Sequence, residues 1–270
     1  MSTDSPPRKR SRLTPWSRKR VLHNHTQRIL VVGEGDFSLT QALIDDTSDL
    51  SNLTTTTLRS SRQTQRDFPT AMGRIVDLIK RGATVLHGVD ARKLRQNDGI
   101  RNNYDVIFFT FPLVAGLPAS HPEQKKLVAQ FLRSATSVLK NEGEVCVVLH
   151  VSKKGVSQFD TWNVASAATS AQLELAGKHV FDSKLFPGYT SSCADGSPFK
   201  IAGGCCYYFR RPLQKVLSVF RQELESSLDK TEDANFATAL KEQVFEVDVL
   251  EQNRADRQLA LSTARFADGA

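Results

Sequence analysis

The sequence predicts an α/β protein built on a doubly wound, mostly parallel sheet of about seven strands. Short apolar segments alternate with amphipathic segments of helical length between residues 28 and 209, which is the pattern of strands joined by crossover helices. The last two predicted strands are separated by a loop rich in Pro and Gly with little helical signal. A right-handed crossover needs a helical connection, so we expect the final strand to run antiparallel.

Each element is predicted from its own local pattern. The first strand, 28–32, is almost entirely apolar, as a central parallel strand buried on both faces requires. The other strands are predicted from apolar or β-branched runs at 53–58, 83–89, 104–109, 144–151, 178–181 and 201–209. Helices are predicted between them, at 37–44, 69–81, 122–140 and 161–176.

Four parts are expected along the chain. A disordered basic tail at 1–25 precedes an α/β domain at 26–212, because the tail is rich in Pro, Ser, Arg and Lys and has little to bury. Two amphipathic stretches predict a helical extension at 213–252, which packs on the domain or on a protein partner. Residues 253–270 are expected to be a flexible tail.

The net charge of +7 comes from the amino-terminal tail. Residues 1–28 hold eight Lys or Arg and one acid, a net of +7, and the remaining 28 bases and 28 acids cancel. The basic signal that is typical of nucleic-acid binding therefore belongs to the tail.

Two basic clusters in this tail, 8–10 and 18–20, resemble a bipartite nuclear import signal. They predict a nuclear or nucleolar protein, with the cytoplasm as the alternative. A mitochondrial presequence is disfavoured because Pro6, Pro7 and Pro15 oppose the helix that it needs.

Other classes of protein are disfavoured by composition. The four cysteines lack metal-ligand spacing, so no metal is expected, and we interpret them as reduced thiols. Cys205 and Cys206 are neighbours in a predicted strand and are expected to face opposite sides of the sheet. No apolar run is long enough to span a bilayer and no signal peptide is evident, so no membrane partner is expected.

The segment Gly33-Glu34-Gly35-Asp36-Phe37-Ser38 carries the clearest chemistry. A strand that runs into Gly-x-Gly and then a helix is typical of a nucleotide-type cofactor site, where backbone and helix N–H groups meet the ligand. The dinucleotide pattern needs a third glycine where Ser38 stands and an acid after the second strand, which ends at Arg59 instead. A dinucleotide and S-adenosyl-L-methionine both remain open from these residues, since Arg59 could meet the phosphate of NADP, and a purely structural turn is the alternative.

The same segment resembles the opening of the ribosomal RNA (25S rRNA) uridine-N3-methyltransferase-like family, whose first strand leads into Gly-Glu-Gly-(Asn/Asp)-Phe-Ser. Further similar segments follow in order at 87–94, 104–112, 143–145, 162–163 and 186–189. The resemblance covers about 28–211. It implies a Rossmann-like class I methyltransferase domain, S-adenosyl-L-methionine as cofactor, and ribosomal RNA or the pre-ribosome as partner.

The resemblance also implies site residues. The cofactor would lie against the turn formed by Gly33, Glu34, Gly35, Asp36, Phe37 and Ser38. Asp90 would accept a hydrogen bond from the adenine amino group, with a helix N-cap as the alternative. The methyl group would be transferred at a mouth formed by Thr110, Phe111 and Pro112, with His150 at the end of the fifth strand nearby. Phe111 would stack on a base or pack in the core.

Three departures from the family pattern bear on turnover. The family usually has Asn-Phe-Pro-His at the mouth, where this chain has Thr110 and Leu113, and it commonly has an acid where Arg59 stands. Leu113 cannot accept the uridine N3 proton that must leave. The candidate substitutes are His121, His150, Lys153 and Asp36. Trp162 and Tyr189 are aromatic candidates on the substrate side, with core packing favoured for Trp162.

Three functions remain open. The first is an RNA methyltransferase that modifies a ribosomal RNA base. The second is a non-catalytic descendant that keeps the fold, and works as a scaffold or ribosome-assembly factor. An NADP-dependent reductase is a third hypothesis that depends on Arg59 alone.

Overall fold

The computed structural model describes residues 27–44, 49–191, 203–231 and 236–245. The chain divides into two compact units, Met1–Arg210 and Arg211–Ala270. Both predicted tails, at 1–25 and 253–270, lie outside the described residues, as do Cys193 and the last part of the predicted helical extension.

The first unit is built on one seven-stranded sheet in the order β3-β2-β1-β4-β5-β7-β6. Its strands are β1 Ile29–Val32, β2 Leu53–Thr57, β3 Thr84–His87, β4 Tyr104–Thr110, β5 Leu139–His150, β6 Glu174–Phe181 and β7 Gly204–Arg210. Strands β1 to β5 pair in parallel, and β7 runs antiparallel to both β5 and β6. The predicted sheet and its antiparallel last strand are confirmed.

Helices cover both faces of this sheet. They are α1 Ser38–Leu43, α2 Ser61–Asp67, α3 Ala71–Lys80, α4 Pro122–Thr136, α5 Gln158–Thr161 and α6 Val164–Ser170, with 3₁₀ helices at Ala91–Gln96 and Ser183–Leu185. The second unit contains α7, Leu213–Leu228, and α8 at 236–245. Leu224 and Leu240 form a small buried cluster between these two helices.

The central strands are buried on both faces, and their alternate residues belong to two separate cores. The edge strands β3 and β6 are less buried. Leu30 and Val32 of β1 lie in the core that contains residues of α4 and α6. Ile29 and Val31 lie in the core that contains residues of α1 and α3. Cys205 and Cys206 are likewise divided between the two cores, which confirms that their side chains face opposite sides.

One helix was not predicted. α2 lies before the helix that we expected at 69–81, which corresponds to α3. It begins with a capping box between Ser60 and Gln63. The Ser60 side chain accepts from the Gln63 backbone N–H, and the Gln63 side chain accepts from Ser60. This short helix presents few apolar residues, so its periodicity gives little signal.

Two other helices differ from their prediction, each for its own reason. α4 ends at Thr136 and β5 already begins at Leu139, where we expected helix up to 140. Val138 and Leu139 are buried in the same core as the apolar stripe of α4, so they extend its pattern without being helical. The helix expected at 161–176 is broken by Asn163, which takes a left-handed conformation with φ of 52°.

Candidate cofactor site and catalytic mouth

The glycine turn lies at the carboxyl edge of the sheet, at the point where the strand order reverses between β1 and β4. Ligands of open α/β sheets bind in the crevice at such a switch point. Gly33 directly follows β1 and is exposed, with φ of 73°. A Cβ atom on Gly33 would lie 2.4 Å from Cε2 of Phe109, so only glycine fits here.

Glu34 is the least satisfied group of the turn. Its side chain is buried, with 7% exposure, and its Oε1 has no hydrogen-bond partner. Burial and, to a lesser extent, the neighbouring Asp36 charge raise the pKa of Glu34 to about 8, although hydrogen bonding to Thr40 opposes the rise. Its backbone N–H donates to the Thr56 carbonyl of β2 at 2.9 Å. The turn is thereby held against β2 while a buried carboxyl oxygen stays available to a ligand.

Asp36 is bound within the protein. Its Oδ2 accepts from Arg74 Nη1 at 3.0 Å and from Thr190 Oγ1 at 2.6 Å. Its Oδ1 accepts from the Ser38 backbone N–H at 3.0 Å. The sequence predicted a cofactor contact or a base here. The structure instead gives this carboxylate three protein donors, which suits it to positioning the turn.

Phe37 and Ser38 also act within the protein. The Phe37 ring is fully buried, and its backbone is left-handed with φ of 62°. The Ser38 hydroxyl donates to the Thr190 carbonyl at 3.1 Å and accepts from the Thr190 N–H at 3.0 Å. Side-chain contact of these two residues with a cofactor is therefore disfavoured, and their contribution is the shape of the turn.

Asp90 is the N-cap of the 3₁₀ helix Ala91–Gln96. Its Oδ1 accepts from the Arg92 backbone N–H at 2.9 Å, and both carboxylate oxygens bind the Arg92 guanidinium. The hydrogen bonds from Arg92 lower the pKa of Asp90. The alternative weighed from the sequence, a helix cap, is the role that the geometry shows.

Arg59 is also engaged within the chain. Its Nε donates to Asp67 Oδ2 at 3.1 Å, and its guanidinium lies 4.9 Å from the centroid of the Phe68 ring. These contacts give Arg59 a structural partner on each side. No described contact favours the NADP hypothesis.

The mouth follows β4. Thr110 ends the strand, and Phe111 is left-handed with φ of 47° and packs edge-on against Phe181 at 5.4 Å. Pro112 is buried, and Leu113 is 39% exposed. The half-buried Phe111 ring thus contacts the core on one side. The structure shows the core-packing role, and stacking on a base stays a prediction.

Gln124 of α4 fixes the loop that continues from this mouth. It is fully buried, and its Oε1 accepts from the Val114 N–H at 2.8 Å. Its Nε2 donates to the carbonyls of Val114 and Leu117 at 3.2 and 3.1 Å. One buried amide therefore satisfies both backbone groups of Val114 and ties the loop to the helix.

The candidate bases lie in different environments. His150 ends β5 at the carboxyl edge, and its backbone N–H donates to Gln158 Oε1 at 2.9 Å. His121 is the N-cap of α4, where its Nδ1 accepts from the Glu123 N–H at 3.2 Å. Lys153 is exposed. Thr110 of the mouth pairs with Val148 of β5, so His150, two residues further along β5, is the candidate base that the sheet places on the strand next to the mouth.

The two aromatic candidates differ in burial. Trp162 is a core residue, with 4% exposure and its indole N–H bound to the Ala119 carbonyl at 2.9 Å. Tyr189 is partly buried beside Phe181 at 6.0 Å. Burial, Glu34 and Asp36 raise the pKa of Tyr189, in that order of importance, which places its hydroxyl in the electrostatic field of the turn.

Sequence reasoning missed Arg74, Thr190 and Gln124. Arg74 reads as an ordinary polar position of an amphipathic helix. Thr190 lies 154 residues from Asp36, one position beyond the Phe-Pro-Gly-Tyr segment. The only signal for Thr190 was its position next to the segment 186–189, which resembles the family. No local pattern indicated Gln124.

Two absences hold for the described part of the chain. Within the described residues, no group of three or more His, Cys, Asp or Glu is placed to hold a metal ion. Among those same residues, no helix is both long enough and apolar enough to cross a membrane.

Comparison with known proteins gives two curated relatives that extend over most of the chain. Heavy metal-associated isoprenylated plant protein 41 of Arabidopsis thaliana is 29% identical over 82% of this chain and 44% of its own length. Ferredoxin-fold anticodon-binding domain-containing protein 1 of Homo sapiens is 31% identical over 69% of this chain and 31% of its own length. The chain thus spans less than half of the length of either relative.

Among solved structures, TrmN from Thermus thermophilus matches with a TM-score of 0.44 and 14% identity, over 72% of this chain and 47% of that one. A family model described as rRNA (uridine-N3-)-methyltransferase BTM5-like matches residues 30–193. This match covers more than half of the 270 residues and includes the glycine turn, Asp90 and the mouth. The chain therefore belongs to the BMT5-like family.

Proposed function

We propose that this protein is an S-adenosylmethionine-dependent methyltransferase that modifies a base of ribosomal RNA, at N3 of a uridine. The observation that carries the proposal is the buried Glu34 carboxyl group, whose Oε1 lacks a protein partner beside the exposed Gly33. A buried polar atom without a partner is costly unless a ligand satisfies it. Membership of the BMT5-like family supports the same reaction.

The residues of the turn fit this cofactor. An amino acid-type ligand carries an ammonium group, which can donate to the Glu34 carboxyl oxygen that lacks a protein partner. Gly33 and Gly35 let the ligand approach the main chain. Asp36, held by Arg74 and Thr190, keeps the turn in place. Asp90 remains the residue proposed beside the adenine.

When bound, the cofactor supplies an electrophilic methyl group. The chain's own task is to orient a uridine and to remove its N3 proton. Phe111, Thr110 and Pro112 form the mouth that would hold the base, and His150 is the residue that we propose as proton acceptor. In the transfer that we propose, the N3–CH₃ bond would form as the S–CH₃ bond of the cofactor breaks. The His150 imidazole would take the N3 proton, and S-adenosylhomocysteine would be the second product.

Calorimetric titration with S-adenosylmethionine tests the cofactor site. We expect binding by the wild-type protein and loss of binding in Glu34→Ala. The matched control is Glu142→Ala, which removes an exposed acid of β5 away from the turn, and this variant should bind normally. The absence of binding to wild-type protein at millimolar ligand, or equal binding to NADP, would overturn the proposal.

A second candidate is a scaffold of the same fold that binds the cofactor and does not turn over. The observation that favours it is Leu113, an exposed aliphatic residue at the mouth. A methyl-transfer assay separates the two. The purified protein is incubated with labelled cofactor and with ribosomal RNA from cells that lack the protein. Label recovered as N3-methyluridine supports the enzyme, whereas cofactor binding without any transfer to this RNA supports the scaffold.

We also propose a nuclear or nucleolar location, from the two basic clusters of the tail. A fluorescent fusion whose basic residues at 8–10 and 18–20 are changed to Gln should lose nuclear enrichment. The expected protein partner of the C-terminal helices stays a prediction.

A further inference from the structure

An open groove of about 510 Å³ lies on the side of the first unit, between the 3₁₀ helix Ala91–Gln96 and α4. Five of its nine lining residues are basic, and none is acidic. The lining consists of Arg92, Lys93, Arg95, Gln96, Lys126, Gln130, Arg133, Ser134 and Ser137. The balanced charge of residues 29–270 therefore conceals a strongly basic surface within the α/β domain.

Two of the five cations have carboxylate partners. Arg92 pairs with Asp90 at 2.8 Å and Lys126 pairs with Glu123 at 3.2 Å. Within the described residues, Lys93, Arg95 and Arg133 form no ion pair, and all three are exposed. These three charges are held together without a balancing acid on the groove wall.

The floor of the groove is fixed. The Leu94 side chain is fully buried in the core, and its backbone N–H donates to Ser134 Oγ of α4 at 2.7 Å. The 3₁₀ helix is therefore anchored on α4, and the basic side chains on either side of Leu94 have a defined separation from those on α4. A fixed array of cations favours a ligand with a regular array of anions.

The groove has the length and lining of a backbone track. Lys126, Gln130 and Arg133 recur on one face of α4, and Ser137 is its C-cap. The four positions extend over twelve residues and roughly 16 Å. Side-chain amides and hydroxyls between the cations suit phosphate and ribose oxygens. No apolar residue lines the groove, which disfavours a membrane surface.

The groove also leads to the candidate site. Arg92, at one end of the groove, binds Asp90. Asp90 is the N-cap of the 3₁₀ helix and follows β3 at the carboxyl edge of the sheet. α4 begins at the same edge, after the mouth loop that Gln124 holds. A strand lying in the groove would thus extend away from the mouth where its base is placed.

We propose that this groove binds the sugar–phosphate backbone of the RNA substrate next to the nucleotide that enters the mouth. The inference rests on the proposed RNA substrate. It assigns Lys93, Arg95 and Arg133 as phosphate-binding residues. Backbone contacts of this kind position the nucleic acid without reading its sequence.

The test uses the full chain with Lys93, Arg95 and Arg133 changed together to Gln. A matched variant changes Lys80, Lys178 and Lys184, three exposed cations on other elements, and has the same net charge. Binding of a fluorescent single-stranded RNA is followed by anisotropy at several salt concentrations. The amino-terminal tail is present in every protein, so its contribution cancels.

The groove variant should lose about two units from the slope of log K against log salt, because each phosphate contact contributes roughly 0.7. Its affinity should fall by roughly ten- to a hundredfold at 0.1 M salt, while the matched variant stays within about twofold of wild type. RNA containing 4-thiouridine should crosslink to peptides 91–96 and 124–137. An equal loss in both variants, or crosslinks confined to other peptides, overturns the proposal.

Two further measurements separate this inference from the proposed reaction. S-adenosylmethionine affinity and urea unfolding should be unchanged in the groove variant, which shows that it is folded. Methylation that persists with unchanged RNA affinity in the groove variant rejects the groove and keeps the enzyme. Groove-dependent RNA binding without any methylation keeps the groove and rejects the enzyme. Equal competition by polyglutamate of the same charge would indicate an acidic protein instead and would also reject the groove.

Discussion

At the scale of single residues, Gly33 is held to glycine by two separate constraints. Its φ of 73° is strained for any residue with a Cβ, and that Cβ would overlap the Phe109 ring. Phe109 cannot move away easily, since it packs edge-on against Phe131 with ring centroids 4.8 Å apart. The exposed backbone at this point thus depends on both the turn and the β4 core beneath it.

Gly33→Ala and Gly88→Ala separate the two constraints. Gly88 has φ of 72° and open space where its Cβ would be. We expect Gly88→Ala to cost about 1–2 kcal/mol of unfolding free energy, from backbone strain alone. Gly33→Ala should cost about 1–3 kcal/mol more, because of overpacking against Phe109. Urea denaturation measures both, and equal costs would show that Phe109 yields.

At the scale of elements, the order of the mouth loop depends on α4. Gln124 hydrogen-bonds both backbone groups of Val114, and the Val114 carbonyl also accepts from the Leu117 N–H at 3.4 Å. A helix that is already folded therefore positions a loop that has no regular structure of its own. The mouth residues Thr110 to Leu113 directly precede Val114, so the hydrogen bonds of Gln124 also fix the position of one end of the mouth.

Gln124→Leu tests this dependence. Removing the amide leaves the N–H of the partly buried Val114 without its partner, so we expect a loss of about 1–3 kcal/mol in unfolding free energy. Hydrogen exchange at 114–117 should accelerate, and methyl transfer should fall while S-adenosylmethionine affinity is retained. Lys125→Leu, at the exposed neighbouring position, should leave exchange in the loop unchanged. Unaltered exchange in Gln124→Leu would contradict the role of the amide.

The elements differ in how far the sequence predicts them. β1 and β4 are predictable because each is a contiguous run of apolar residues. The glycine turn is predictable because its glycines follow β1 directly in the sequence. α2 shows a capping box and was still missed, since a seven-residue polar helix has little periodicity. The support of Asp36 by Arg74 and Thr190 joins residues 38 and 154 positions away, and no local pattern encodes such a contact.

At the scale of the whole molecule, Glu34 gives the folded protein a distinctive pH dependence. Its pKa rises from 4.5 to about 8 on folding, so the native state holds a proton that the unfolded chain releases above its lower pKa. The resulting stability is present in full below pH 4.5 and is lost as pH rises through about 8. The lowered pKa values of Asp67, Asp77 and Asp90 act at more acidic pH, outside this window.

We expect the unfolding free energy of the wild type to fall between pH 5 and pH 8 relative to Glu34→Gln, which carries no titrating carboxyl group. The upper limit of this fall is roughly 5 kcal/mol, from about 1.4 kcal/mol for each unit of pKa change. Urea unfolding at several pH values measures the difference between the two proteins. Parallel profiles would show that Glu34 is ionised in the native state.

The position of β7 has a consequence for synthesis of the chain. β7 is the last strand in sequence, yet it pairs between β5 and β6, so β6 joins the sheet only after residue 210 has been made. Thr190, which holds the glycine turn through Asp36, is also among the later residues. A nascent chain can form β1 to β5 on the ribosome as a partial sheet, but the glycine turn gains the support of Thr190 only after that residue has been made. Premature termination before residue 190 would therefore leave a chain that contains every residue of the turn and lacks the hydrogen bonds from Thr190 that support it.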